Sequence, residues 1–344
     1  MLASLLLALR EAGDSVHLCF LKTPGSVGTE LLAAGLPATI AGLEHSRSPR
    51  ALPVLLRLVR REQPDLLYIQ DHHDCLFWGR LAAALSGFLP AISPVHSSAQ
   101  GRLRAFRSYN RLLLGLSPHL ATLGPWQEQA LIEREGLSRG DWTPIPNPVP
   151  GMEAFLAAAE APPRAAAPME LICVAALRPE KRLDRLLAVL ALLKEQRPLR
   201  LTLVGEGPAR GALEAQAAAL GLGDALRLLG QRDDIAALLR SSDLFVLSSE
   251  EEALPLSVLE ALLSGLPVAA PPHGALPTLL AGGRGLLLPG DEPQRWAVAI
   301  GAYLDAPPPA ALRRATQAEV AAAHAPARFA ERYRRLLVRL GGQG

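Results

Sequence analysis

The chain has 344 residues, 49% of them apolar, with a formal net charge of +2 spread over both signs. That length allows two domains with substantial cores, and the near-neutral balance excludes a dedicated nucleic-acid binder. No apolar run reaches the length of a membrane span and no secretory signal is legible. Three widely spaced cysteines, Cys19, Cys75 and Cys173, argue for a reducing, cytoplasmic setting without a disulfide framework.

In chain order, "MLASLLLALREAGDSVHLCFL" reads as helix, turn and strand. A doubly wound domain ordinarily opens on a central strand and a Gly-rich turn. The expectation is therefore an N-terminal sheet short of its first strand, through a truncated or late-assigned start. Further strands are expected at "DLLYIQ" (65–70), "AISPVH" (91–96), "LICVAAL" (171–177), "RLTLVG" (200–205), "ALRLLG" (225–230), "DLFVLS" (243–248), "LPVAAP" (266–271) and "RGLLLP" (284–289). Helical stretches such as "PRALPVLLRLVRRE" and "LDRLLAVLALLKEQ" lie between them. The alternation predicts α/β architecture with parallel sheets covered on both faces. The Pro- and Ala-rich segment 143–170 breaks the rhythm and reads as the passage between two such domains, 1–150 and 151–325.

Three polar stretches of the first domain have bland readings. "QDHHDCLFW" sets Asp71, His72, His73 and Asp74 side by side. Adjacent side chains diverge whereas zinc ligands converge, so this reads as a polar strand-end loop able to touch an acceptor. "GRLRAFRSYNRLLLGL" carries Arg102, Arg104, Arg107 and Arg111 beside an apolar stripe. An ordinary surface helix is favoured there, with a helix resting on an anionic membrane as the alternative. Arg47, Arg50, Arg57, Arg60 and Arg61 read as a solvated helix face.

The second domain holds the chemistry. Its basic residues are nearly all arginine: the chain has 32 Arg and only Lys22, Lys181 and Lys194. In "VAALRPEKRLDRLL" a strand ends, Pro179 is expected to start a helix, and Lys181 falls in its first turn. A cation there is disfavoured by the helix dipole unless an anion neutralises it, the alternative being a solvated lysine. "LTLVGEGPARG" places Gly205 and Gly207 at a strand-to-helix turn, compatible with close approach of a ligand or with a plain tight connection. "SSEEEALPLSVLEALLSGLPV" sets Glu252 and Glu260 eight residues apart across a loop that enters a helix near Pro255. Carboxylates accept hydrogen bonds from vicinal sugar hydroxyls, and the unpaired N–H groups of a helix start suit phosphates. A ligand that wants both is a nucleotide sugar.

Lys181, "VGEGP" and the E-x7-E run with "LPLSVLEALLSGLPV" resemble the C-terminal half of the family-4 retaining glycosyltransferases, of the GT-B fold. "PDLLYIQ", "GRLAAALSG" and "VHSS" are similar to that family's N-terminal domain, and "IPNPV" to its interdomain passage. "RFAERYRRLL" resembles its closing helix, which in that fold crosses back to the first domain and would occupy 326–344. The resemblance implies two Rossmann-like domains facing a cleft. It also implies transfer from a nucleotide-sugar donor, most readily a UDP-sugar, to a glycan, lipid-linked or small-molecule acceptor, with no metal or other cofactor. It implies that Lys181 grips the donor diphosphate, Glu252 lies beside the donor sugar and Glu260 binds the ribose. Ala253, Leu254, Pro255, Leu256 and Ser257 match the loop whose N–H groups reach phosphates and sugar. Gly205, Gly207 and Gly230 belong to the donor side, and His96 matches a histidine that faces the donor sugar from the first domain.

Three departures stand against the pattern. The family's "GRL" arginine falls at Ala176, with Arg178 two residues on as its substitute. The glycine after the first glutamate is Ala253, and the N-terminal strand with its Gly-rich loop is missing. They keep open a non-catalytic nucleotide-sugar-binding protein. An epimerase or phosphorylase of the same fold ranks last.

Overall fold

The computed structural model describes residues 2–70, 73–95, 119–159 and 168–342. His96, the arginine-rich stretch 101–116, Asp71 and His72 lie outside the described residues. The described elements begin with α1 (Leu2–Glu11), β1 (Leu18–Phe20), α2 (Ser26–Ala33), β2 (Ala38–Ile40), α3 (Ala51–Glu62) and β3 (Leu67–Tyr68). Next come α4 (His73–Leu85), β4 (Ala91–Pro94), β5 (Leu120–Thr122), α5 (Pro125–Glu135), β6 (Trp142–Pro144), α6 (Met152–Ala159) and β7 (Met169–Val174). Then follow α7 (Leu183–Lys194), β8 (Leu199–Val204), α8 (Arg210–Ala219), β9 (Leu226–Leu228), α9 (Ile235–Arg240) and β10 (Leu244–Val246). The last are α10 (Leu256–Leu263), β11 (Val268–Ala270), α11 (Leu276–Leu279), β12 (Leu286–Leu287), α12 (Pro293–Asp305), α13 (Ala310–His324) and α14 (Pro326–Gly341).

Contacts divide the chain into Met1–Pro148 with Pro326–Gly344, and Val149–Ala325. In the first unit β3, β4, β5 and β6 form one parallel sheet in sequential order, and β1 pairs with β2 in a separate parallel pair. Among the described residues no ladder joins the two pieces. The stretches at β2, β5 and β6 went unread in the sequence because three residues of "ATI", "LAT" or "WTP" show no periodicity. The opening helix is present as α1. Its Leu5, Leu6 and Leu9 share an apolar cluster with Phe329, Tyr333, Leu336 and Leu340 of α14. Those four positions recur every three or four residues, the stripe an amphipathic helix buries. Tyr333 is buried edge-on to both Phe329 and Tyr68.

The second unit is one six-stranded sheet in the order β12-β11-β10-β7-β8-β9, every pair parallel. The chain leaves β7 towards β8 and β9 on one side and returns to β10 on the other. The gap between β7 and β10 is therefore the switch point of a doubly wound sheet, where ligands meet the carboxyl ends of strands. The core is leucine-rich and includes fully buried Trp296, whose Nε1–H donates to the Gly290 carbonyl at 2.9 Å. The Arg185 guanidinium lies 5.0 Å from the Trp296 ring centre and pairs with Asp291 at 2.7 Å.

Segment 143–170 contains the boundary between the two units, at 148/149, together with the end of β6 and all of α6, whose Met152 and Phe155 are buried. The run "MEAFLAAA" has enough apolar and alanine content to form a helix despite the prolines around it. Two expectations need correction. His73 and Asp74 open α4 rather than lying in a loop, since the apolar helix that follows extends back to them. Pro179 starts only a three-residue 3₁₀ turn, Pro179–Lys181, and α7 begins at Leu183. Arg182 between them is left-handed (φ 46°), which interrupts any continuous helix.

Candidate functional site

Two loops follow the carboxyl ends of the adjacent strands β7 and β10. The first runs through Ala175–Arg178 into the 3₁₀ turn, and the second through 247–255 into α10. They are stitched together at three points. The fully buried Ser248 hydroxyl donates to the Lys181 carbonyl at 2.8 Å, and the Glu250 N–H donates to the Glu180 carbonyl at 3.0 Å. The Arg182 guanidinium, bonded to Asp184 at 3.2 Å, lies 3.7 Å from Glu250. On this frame the Lys181 ammonium donates to Glu252 Oε1 at 2.6 Å, with the two side chains 25% and 13% exposed. Residues 71 apart in sequence thus meet at the switch point.

Glycines let the surrounding backbone close in. The Gly205 N–H donates to the Gly230 carbonyl at 2.8 Å, and the Leu177 N–H to the Glu206 carbonyl at 2.9 Å. A Cβ on Gly205 would stand 2.0 Å from the Ala175 carbonyl oxygen, and one on Gly207 2.4 Å from that of Leu177. Gly205, Gly207 and Gly230 therefore knit the turns after β7, β8 and β9 together. Gly274 does the same beneath the second loop, where a Cβ would lie 2.2 Å from the Glu252 carbonyl oxygen and 2.4 Å from that of Ala253. Ala253 does not adopt a left-handed φ, so alanine is accommodated where the family pattern has glycine.

Pro255 is the N-cap of α10, in extended conformation (φ −71°, ψ 117°) and without a side-chain cap. Its carbonyl accepts from the Val258 and Leu259 N–H groups. The N–H groups of Leu256 and Ser257 find no partner among the described residues and remain open to a ligand. Leu254 is buried and belongs to the packing under this loop.

Glu260, one turn into α10, is half-buried, with no hydrogen-bond or ion-pair partner for its carboxylate among the described residues. Burial raises its pKa above the usual 4.5. The native state therefore holds this proton at pH values where the unfolded chain has released it. Stability contributed by the protonated group is full below the ordinary pKa and is lost as pH rises through the raised one. Glu260→Gln is expected to raise the melting temperature at pH 7, with the gain shrinking to nothing at about pH 4. A gain that persists unchanged at acid pH would contradict this.

The other expected residues are less well gathered. Arg178 is 60% exposed and its nearest carboxylate is Glu180 at 3.9 Å; its carbonyl accepts from the Lys181 N–H at 3.0 Å, but among the described residues its guanidinium makes no contact with Lys181 or Glu252. Sequence reasoning passed over Ser248, Arg182, Glu250 and Gly274, and also Ser249, whose buried hydroxyl has no partner among the described residues. In the first unit it passed over Arg80, which is fully buried and donates to the Ser93 hydroxyl at 3.0 Å. Burial lowers the Arg80 pKa to about 10. Its signal was available, since Leu76, Arg80 and Ala83 share one helical face and an apolar residue is due at 80. Among the described residues no group of three or more His, Cys, Asp or Glu is arranged to hold a metal ion. All three cysteines are free, and no described helix is long and apolar enough to cross a membrane.

Residues 160–320 match the family profile of glycosyl transferases group 1, and residues 1–150 that of glycosyltransferase family 4. The chain belongs to the family-4 glycosyltransferases. Among curated relatives, a D-inositol 3-phosphate glycosyltransferase from Thermobispora bispora is 35% identical over 150 residues, 40% of this chain and 35% of that protein. An N-acetyl-alpha-D-glucosaminyl L-malate synthase from Bacillus anthracis is 32% identical over 113 residues, 33% of this chain and 30% of that one. The chain thus spans about a third of the length of these curated relatives. A glycosyltransferase structure from Rickettsia africae aligns with TM-score 0.82 and 15% identity over 98% of this chain and 93% of that one. HepE from Anabaena, solved in complex with UDP, aligns with TM-score 0.80 and 20% identity over 98% and 96%. The family-4 chain has the α/β GT-B fold, built of Rossmann-like units.

Proposed function

We propose that this family-4 protein is a retaining glycosyltransferase that moves a sugar from a nucleotide-sugar donor, most readily a UDP-sugar, without a metal ion. The observation that carries the reading is the meeting of Lys181 and Glu252 at 2.6 Å at the β7/β10 switch point. It brings a cation for a diphosphate beside a carboxylate for sugar hydroxyls, with the open N–H groups of Leu256 and Ser257 nearby in sequence. The anchored backbone turns support preorganisation, since donors aimed at developing charge act best when they need not reorganise. That HepE is solved with UDP and with UDP-glucose supports the choice of base.

In the proposed reaction the bond between the sugar's anomeric carbon and the diphosphate oxygen breaks, and the electron pair stays on the phosphate. Lys181 and the helix-start N–H groups take up that charge. The acceptor hydroxyl attacks the same face of the anomeric carbon and gives its proton to the departing phosphate oxygen, so configuration is retained and no enzyme nucleophile is used. Glu260 would hold the ribose, which explains a buried carboxylate kept without a partner. His96 lies outside the described residues, and its role on the donor is proposed from the family resemblance alone. The acceptor is a glycan, a lipid-linked molecule or a small molecule, and the setting is cytoplasmic, with peripheral contact at a membrane surface for a lipid-linked acceptor.

A thermal-shift panel with UDP, GDP, ADP and their glucose forms tests the donor site. At a ligand concentration about 100-fold above Kd, binding adds about 2.7 kcal/mol. UDP is expected to raise the melting temperature by several degrees, and Glu260→Gln to reduce that shift. No shift with any of the three nucleotides or their glucose forms would sink the reading.

A further inference from the structure

The Lys181–Glu252 pair has a second consequence, which rests on the donor site proposed above. Both groups have work to do on the donor, yet in the protein they are engaged with each other at 2.6 Å. Among the described residues no other cation lies within ion-pair distance of Glu252. The nearby Arg182 is engaged by Asp184 and Glu250, and Arg178 lies on the surface beside Glu180. A ligand that takes Lys181 therefore strips Glu252 of the one cation that pairs with it among the described residues. The Glu252 side chain is just 13% exposed, and a buried charge left without its partner is strongly unfavourable.

An intact nucleotide sugar replaces both halves of the pair. Its phosphates take the ammonium and its sugar hydroxyls donate to the carboxylate. A free nucleoside diphosphate replaces only one half. It takes the ammonium and leaves the carboxylate unpaired next to added negative charge. We infer that the Lys181–Glu252 pair discriminates between donor and product: it admits the nucleotide sugar and disfavours the bare diphosphate, so that loss of the sugar expels the product.

The anchoring of both partners fits this role. The Lys181 carbonyl is held by Ser248, and the Ala253 carbonyl accepts from the Ala275 N–H at 2.9 Å while the chain rests against Gly274. The pair can re-form by side-chain motion alone once the sugar is gone. Discrimination then arises from exchange of partners within a fixed backbone.

Calorimetric titration of the full chain tests the inference, using UDP, GDP and ADP and the matching glucose nucleotides. The proteins are wild type, Glu252→Gln, Lys181→Gln and the double variant. For the nucleotide that wild type binds, Glu252→Gln is expected to bind the free diphosphate about tenfold more tightly, equivalent to about 1.4 kcal/mol. Its affinity for the sugar nucleotide is expected to be unchanged or weaker. In the Lys181→Gln background the same change should tighten the diphosphate less than about threefold, because no cation remains to be freed. Unchanged or weaker diphosphate binding by Glu252→Gln, with an intact thermal transition, would overturn the inference and leave the donor site standing. Failure of wild type to bind any of the six nucleotides would overturn the donor site itself, and the inference with it.

Discussion

Lys181→Ala is expected to lower kcat by about 10²–10³, the loss seen when one preorganised donor to a developing oxyanion is removed. As the glycosidic bond breaks, negative charge on the leaving diphosphate grows. An ammonium beside it is worth more in the transition state than in the ground state. The effect should therefore fall on kcat more than on the donor KM. Lys181 is well suited to such a role because its backbone is fixed by Ser248 and its ammonium is a compact charge. Steady-state kinetics with the nucleotide sugar identified by the titrations would check it. A variant within tenfold of wild type would exclude Lys181 from charge stabilisation. A variant altered in KM alone would confine it to donor binding.

The second large effect is on stability. Gly205→Ala is expected to destabilise the unit Val149–Ala325 by at least about 3 kcal/mol, the range reached when a side chain is forced into backbone. For a unit of that size this lowers the melting temperature by roughly 6–12 °C. The added Cβ would sit 2.0 Å from the Ala175 carbonyl oxygen, and φ at 140° is strained for any L side chain. The neighbouring turn cannot retreat cheaply. Ala175 and Gly205 are held by N–H bonds to Val204 and Gly230 at 3.0 and 2.8 Å. Gly211 supplies the control, because nothing lies within 4 Å of its would-be Cβ and it sits in α8. Gly211→Ala should leave stability unchanged or raise it by up to about 1 kcal/mol. Equal melting temperatures for the two variants would refute the close-approach argument.

Legibility differed between the halves of the chain. In Val149–Ala325 the strands are apolar runs such as "LICV" and "LTLV", flanked by turn glycines and followed by leucine-rich helices, so strand positions could be read directly. In the other unit β2, β5 and β6 are three residues long and carry no apolar run around them, so no period shows. Lys181 stood out because the chain otherwise uses arginine, and Glu252 and Glu260 because acids flank a helix start. Ser248 and Gly274 did not stand out. Their importance comes from a carbonyl and a loop brought to them by the fold, and neither residue type is unusual in its own sequence neighbourhood.

The sequence by itself determined the parallel α/β class, the assignment to family 4 and the identity of Lys181, Glu252 and Glu260 as residues of interest. The class and the residues follow from local patterns, namely apolar runs, turn glycines and charges at element ends, and the family from the resemblance of its motifs; none of these needs knowledge of neighbours in space. Only the tertiary structure decided that Lys181 sits in a 3₁₀ turn ended by Arg182, that its ammonium already holds Glu252, and that the Glu260 carboxylate has no partner among the described residues. It also separated Arg178 from the pair. The physical reason is that ion pairs and desolvation depend on distances between segments dozens of residues apart. Those distances are fixed by the strand order β10-β7-β8 and by backbone hydrogen bonds between turns.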